Sequence, residues 1–147
     1  MLIIAPHGSY RTASYIKAAN ALNIDVLIAS QGEHSIVSEY VQGLHVDFKD
    51  TKLSIETILA EANERAFSGI IGTDDTTTEL AALVEEKLSL AHNDPQAVNT
   101  AQRKDLARLS LKKSKLKIPQ FDLLTTTKPL SKQTVQVKFP CVIKPVA

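Results

Sequence analysis

Two short segments concentrate side chains that could handle a charged ligand. The first, Pro6-His7-Gly8-Ser9-Tyr10-Arg11, offers a glycine, backbone N–H groups before a helix, a hydroxyl and a guanidinium. That combination suits an anion, because amide dipoles at a helix start and a forked guanidinium both favour negative oxygens. The G-x-G-x-x-G spacing is missing, so a dinucleotide site has no support. An ordinary strand-to-helix turn, with His7 and Ser9 satisfying backbone groups, explains the same residues. The second segment, Gly72-Thr73-Asp74-Asp75-Thr76-Thr77-Thr78, sets adjacent carboxylates among threonines and could hold a metal or a substrate amine. Helix capping by Asp75 and Thr76 is its simpler explanation. The first segment therefore predicts His7, Gly8, Ser9 and Arg11 as substrate contacts, and the second Asp74 and Asp75.

The elements that must position these residues read as an alternation of strands and helices. Leu2-Ile3-Ile4-Ala5 is an apolar run closed by Pro6 and Gly8, which predicts a buried strand. Thr12 to Leu22 places Ala13, Ile16, Ala19 and Leu22 at helical spacing. Residues 24–29 form a second strand, Ser35 to Gln42 a short helix, and residues 44–48 an alternating edge strand. Ser54 to Ala66 is a helix with Ile55, Ile58, Leu59 and Ala62 on one face. Gly69-Ile70-Ile71-Gly72 is a fourth strand, followed by a helix from Thr76 to Leu88 with Thr76 and Glu79 as a capping box. Near-continuous apolar strands alternating with helices predict an α/β fold, a small doubly wound parallel sheet covered on both faces. Ligands of such sheets bind beyond the carboxyl ends of the strands, where both chemical segments fall.

The order changes after residue 90. Asp94-Pro95 marks a helix start. A basic helix spans about Thr100 to Lys113, and Lys117-Ile118-Pro119 ends it. Residues 121–125 and 139–147 are strand-like, and the last has no following partner, so the chain reads as cut within a second domain. The expected division is 1–92, a helical linker 93–118, and 119–147.

The 147 residues carry a net charge of +1, yet residues 103–147 hold eleven Lys or Arg against two Asp, leaving six basic and fourteen acidic positions before them. That asymmetry points to an anionic partner for the C-terminal third or to a boundary between units. No aromatic residues interleave the basic helix, so nucleic acid is not expected. One cysteine, Cys141, excludes a disulfide framework and reads as a buried small residue in a strand. His34, His45 and His92 show no metal-ligand spacing. No run reaches the roughly 18 apolar residues of a membrane span, and no basic lead precedes the first apolar run, so a cytoplasmic location is expected.

The ordered set Gly72-Thr73-Asp74-Asp75, Glu79-Leu80-Ala81-Ala82, Leu88-x-Leu90, Asn93-x-Pro95-x-Ala97-Val98, Arg103-Lys104, Ile118-Pro119-x-Phe121 and Phe139-Pro140-Cys141-Val142-Ile143-Lys144-Pro145 resembles the opening of an ATP-grasp enzyme. His7-Gly8-Ser9 and Gln31-Gly32-Glu33-His34 are closest to its carboxylate–amine ligase branch. The resemblance implies a Rossmann-like pre-ATP-grasp domain, then the first strands of a truncated ATP-grasp domain. It also implies ATP as cosubstrate with Mg2+, activation of a small carboxylate or amino acid as an acylphosphate, and attack by an amine. Lys104 and Lys144 match the family's ATP-phosphate lysines; the glycine-rich loop and the Mg2+ ligands would lie beyond residue 147, leaving this fragment inactive. Members often use this domain in dimer contacts, so a homodimer is among the expected partners. The competing reading is a stand-alone module that binds a small anion at residues 7–11.

Overall fold

The computed structural model describes residues 1–31, 43–133, 136 and 138–146. They form two compact units, Met1–Val98 and Asn99–Ala147.

The first unit is built on a four-stranded, wholly parallel sheet: β1 (Leu2–Ile4), β2 (Leu27–Ser30), β3 (Gly43–His45) and β4 (Ile70–Gly72), in spatial order β3-β2-β1-β4. Leu2, Ile3 and Ile4 align with Leu27, Ile28 and Ala29 on one side and with Ile70, Ile71 and Gly72 on the other. The central strand is apolar throughout because both faces are covered. On one face Leu2, Ile4, Leu27 and Ala29 pack with Ile58 of α2 (Thr51–Glu64) and with Leu80, Ala81 and Val84 of α3 (Asp75–Lys87). On the other, Ile3, Ala5 and Ile28 meet Tyr15 and Ile16 of α1 (Thr12–Ala21). The α/β doubly wound sheet expected from the strand pattern is thus present.

Local signals set the helix ends. The Asp50 carboxylate accepts from the Leu53 N–H at 3.0 Å and caps α2. That start lies three residues before the expected Ser54, whose buried hydroxyl instead donates to the Asp47 carbonyl at 2.7 Å. The cap of α3 also differs from expectation. It falls on Asp74 rather than Thr76, with Thr77 as the third helical residue: the Thr77 Oγ1 accepts from the Asp74 N–H at 3.2 Å. At the outer edge of β4, the Ile70 N–H donates to the Glu85 carboxylate at 3.3 Å.

In the second unit the expected single basic helix is two helices, α4 (Pro95–Gln102, shared across the division) and α5 (Lys104–Lys113). Arg103 between them is extended (φ −77°, ψ 101°), and its guanidinium clasps Asp105 through bonds of 3.0 and 2.8 Å. Asp94 caps α4 as expected, accepting from the Gln96 N–H at 2.7 Å. The strands expected at 121–125 and 139–147 are not formed: after β4 no ladder occurs among the described residues. Extended chain becomes a strand only beside a partner, and Phe139, Val142 and Ile143 stand about 80% exposed. Cys141 is exposed, not buried. The helix expected over 35–42, and His34, lie outside the described residues.

Candidate functional site

The chain leaves β1 for β2 and β3 on one side of the sheet, then returns to place β4 on the other. The β1/β4 boundary is therefore where the strand order reverses, the position at which open parallel sheets bind ligands beyond the carboxyl ends of their strands. Because Ile4 and Gly72 share a register level, the two chemical segments of the sequence emerge side by side.

Gly72 makes this possible by close approach. A Cβ there would stand 2.8 Å from the Thr77 carbonyl carbon and oxygen. The first turn of α3 thus rests directly on the end of β4 and brings Asp74 against the β1 loop.

The Asp74 Oδ2 accepts from the Ser9 hydroxyl at 2.7 Å and from the Thr73 hydroxyl at 2.6 Å. Arg11 donates from Nη1 to the Thr73 carbonyl at 3.0 Å, and its guanidinium lies 5.6 Å from the centroid of the exposed Tyr10 ring. The hydroxyl bonds from Thr73 and then Ser9 hold the Asp74 carboxyl below the usual carboxylate range; Arg11 adds to this and partial burial opposes it. A carboxylate held this way is a weak base, and the Ser9 proton is already committed to it. The corner offers an ionised oxygen pair beside an anchored guanidinium, groups whose chemistry suits binding and orienting a charged ligand.

Of the residues expected to contact substrate, Ser9, Arg11 and Asp74 converge. His7 and Gly8 form the exposed turn that lets the Ser9 N–H reach the Pro6 carbonyl at 3.0 Å. They stand outside the hydrogen bonds that join Ser9, Arg11, Thr73 and Asp74. Asp75 sits exposed in the first turn of α3, its carbonyl accepting from the Thr78 hydroxyl at 3.0 Å. Sequence reasoning did not single out Thr73 or Tyr10, which the structure joins to this corner through the Thr73–Asp74 bond and the Arg11–Tyr10 contact. A signal for Thr73 exists, since a threonine between a strand-ending glycine and a capping aspartate is placed to bond that carboxylate. Lys104 and Lys144 lie in the second unit, both exposed. The Lys104 N–H donates to the Val146 carbonyl at 3.3 Å, which draws the segment bearing Lys144 to the start of α5.

Among solved structures, L-amino acid ligase from Bacillus licheniformis is similar over 99% of this chain and 37% of its own, with TM-score 0.77 and 18% identity. Phosphoribosylglycinamide synthetase from Anaerococcus prevotii matches 78% of this chain and 29% of its own (TM-score 0.61, 15% identity). N5-carboxyaminoimidazole ribonucleotide synthetase from Thermus thermophilus matches 81% and 31% (TM-score 0.58, 15% identity). The chain thus spans about a third of the length of each. A search of curated protein sequences finds no significant match. Residues 16–92, just over half of the sequence, match the ATP-grasp N-terminal domain, and the chain belongs to that family.

Proposed function

We propose that this chain is the N-terminal part of an ATP-dependent ligase that activates a carboxylate as an acylphosphate for attack by an amine, and that the chain alone does not turn over ATP. The family match over residues 16–92 carries this reading; the fold shared with three proteins named as a ligase or synthetases supports it. In it, residues 1–92 supply the substrate corner, with Ser9, Arg11 and Asp74 facing a small carboxylate or amino acid and His7, Gly8 and Asp75 at the rim. Residues 93–118 connect to the start of the nucleotide-binding domain at 119–147.

ATP would supply the phosphoryl group. Lys104 and Lys144 suit its oxygens: both are exposed ammonium donors on segments tied by the Lys104–Val146 backbone bond. In this reading the Mg2+ ligands belong to the remainder of the parent protein. No helix among the described residues is long and apolar enough to cross a membrane; a cytoplasmic location is part of the proposal.

The test is ADP release by the full-length parent with Mg2+, ATP and a panel of amino acids and small carboxylates. Substrate-dependent release that falls by about 10²-fold in Lys144→Ala is expected, the scale for losing one charge-stabilising donor. ATP hydrolysis by the 147-residue chain alone would overturn its assigned inactivity. A folded parent that releases no ADP with any substrate would overturn the ligase reading.

A further inference from the structure

On the outer flank of β4, beside the first turn of α3, lies a cavity of about 470 Å3, within the range of about 300–1,000 Å3 typical of small-molecule sites. Ile70, Ala81, Ala82 and Val98 give it an apolar wall; Thr78, Glu85, His92 and Asn93 give it a polar one.

The polar wall is dominated by acceptors. Glu85 uses one carboxylate oxygen on the Ile70 N–H, and an ionised carboxylate only accepts. The His92 Nδ1 lies 2.8 Å from the Leu90 carbonyl. A carbonyl cannot donate, so Nδ1 carries the proton and Nε2 of the neutral ring is an acceptor. The Thr78 hydroxyl directs its proton to the Asp75 carbonyl at 3.0 Å. No Lys or Arg is part of the lining.

We propose that this cavity binds a small molecule with a primary ammonium head and a short aliphatic body, the ammonium on Glu85 and the body against Ile70, Ala81, Ala82 and Val98. An ammonium brings three donors and a positive charge to a wall that supplies acceptors and a negative one. Burial raises the Glu85 carboxyl above its usual range, with the Ile70 N–H opposing; a cation beside it would offset that cost of ionisation. The surrounding unit favours the same sign, since residues 1–98 hold six basic against fourteen acidic positions. Gly72 and Thr78 also line it, so it adjoins the substrate corner across the first turn of α3, but its carboxylate is Glu85 and it does not depend on the ligase reading.

The test is an NMR titration of the 147-residue chain with n-butylammonium chloride, beside sodium butyrate and n-butanol at matched ionic strength. Saturable shifts at His92, Asn93 and the Ala81 and Ala82 methyls are expected with butylammonium, none with butyrate and weaker ones with butanol. Glu85→Gln keeps an acceptor for the Ile70 N–H and should weaken butylammonium binding at least about tenfold, the scale of one hydrogen bond to a charged group. No saturable shift, equal shifts from all three probes, or unchanged affinity in Glu85→Gln would each overturn the proposal. The contrast among probes on the unaltered chain decides the matter even if the variant fails to fold.

Discussion

Replacing Gly72 by alanine tests the packing that assembles the Asp74 corner. The added methyl would meet the Thr77 carbonyl group at 2.8 Å and the Thr78 Cα at 2.9 Å. Backbone atoms cannot swing aside as a flexible side chain can, so the first turn of α3 must retreat by about 0.6 Å to reach ordinary contact near 3.4 Å. Thr77, fully buried, moves with it, stretching its 3.2 Å bond from the Asp74 N–H past the hydrogen-bond range. Overpacking of this kind costs about 1–3 kcal/mol. At about 2 kcal/mol the melting temperature of a unit this size falls by roughly 8–16 °C. Gly8→Ala is the control, because a Cβ at Gly8 meets nothing within 4 Å; its melting temperature should match the unaltered chain or rise slightly. Thermal unfolding followed by circular dichroism measures both. A Gly72→Ala melting temperature within about 3 °C of the parent, or equal to that of Gly8→Ala, would refute the close-approach argument.

Ser9→Ala removes one of two hydroxyl donors from Asp74, so its carboxyl should titrate higher than in the unaltered chain, as read by carboxyl-carbon NMR; an unchanged titration would mean the bond does not form in solution. Asp74 titrates lower in the folded chain than its ordinary value of about 3.9, so its stabilisation is present above that value and is lost as pH falls through the folded pKa. The stability gap between the parent and Asp74→Asn, from urea unfolding, should therefore shrink between about pH 5 and pH 2. Glu85 has the opposite sign: its raised pKa makes stability decline as pH rises from about 4.3 through the folded value, and Glu85→Gln should remove that decline. Asp50→Ala deletes the cap of α2 and should cost about 1 kcal/mol by the same unfolding assay; no loss would show that the Leu53 N–H finds another partner.

The strand-and-helix order of the first unit was legible because it rests on local pattern. Apolar runs such as Leu2–Ala5 can be buried on both faces only in a covered parallel sheet. Convergence of Ser9 and Asp74, 65 positions apart, was not readable residue by residue. It follows from which strands become neighbours, which the crossover from β3 to β4 decides. Arg103 shows another limit: its N–H closes α4 on the Asn99 carbonyl at 3.1 Å while its extended backbone starts α5, a break that the apolar spacing does not mark. The runs at 121–125 and 139–146 have strand composition without strand structure, because propensity selects a conformation whereas a ladder needs a second strand. Cys141 is exposed for the same reason.

The Glu85–Ile70 bond also bears on how this sheet behaves in a crowded solution. β4 lies at the end of the strand order, and in parallel pairing alternate residues turn their backbone groups outward. Ile70 is such a residue, and its N–H would be the first donor met by a strand arriving from another molecule. Such a strand would have to displace a carboxylate and bring its own carbonyls past it, which disfavours edge-to-edge growth. With only three residues in β4, one blocked donor leaves little edge on which to start. A three-residue strand whose outward Ile70 N–H is already taken by a carboxylate offers a fifth strand little to pair with.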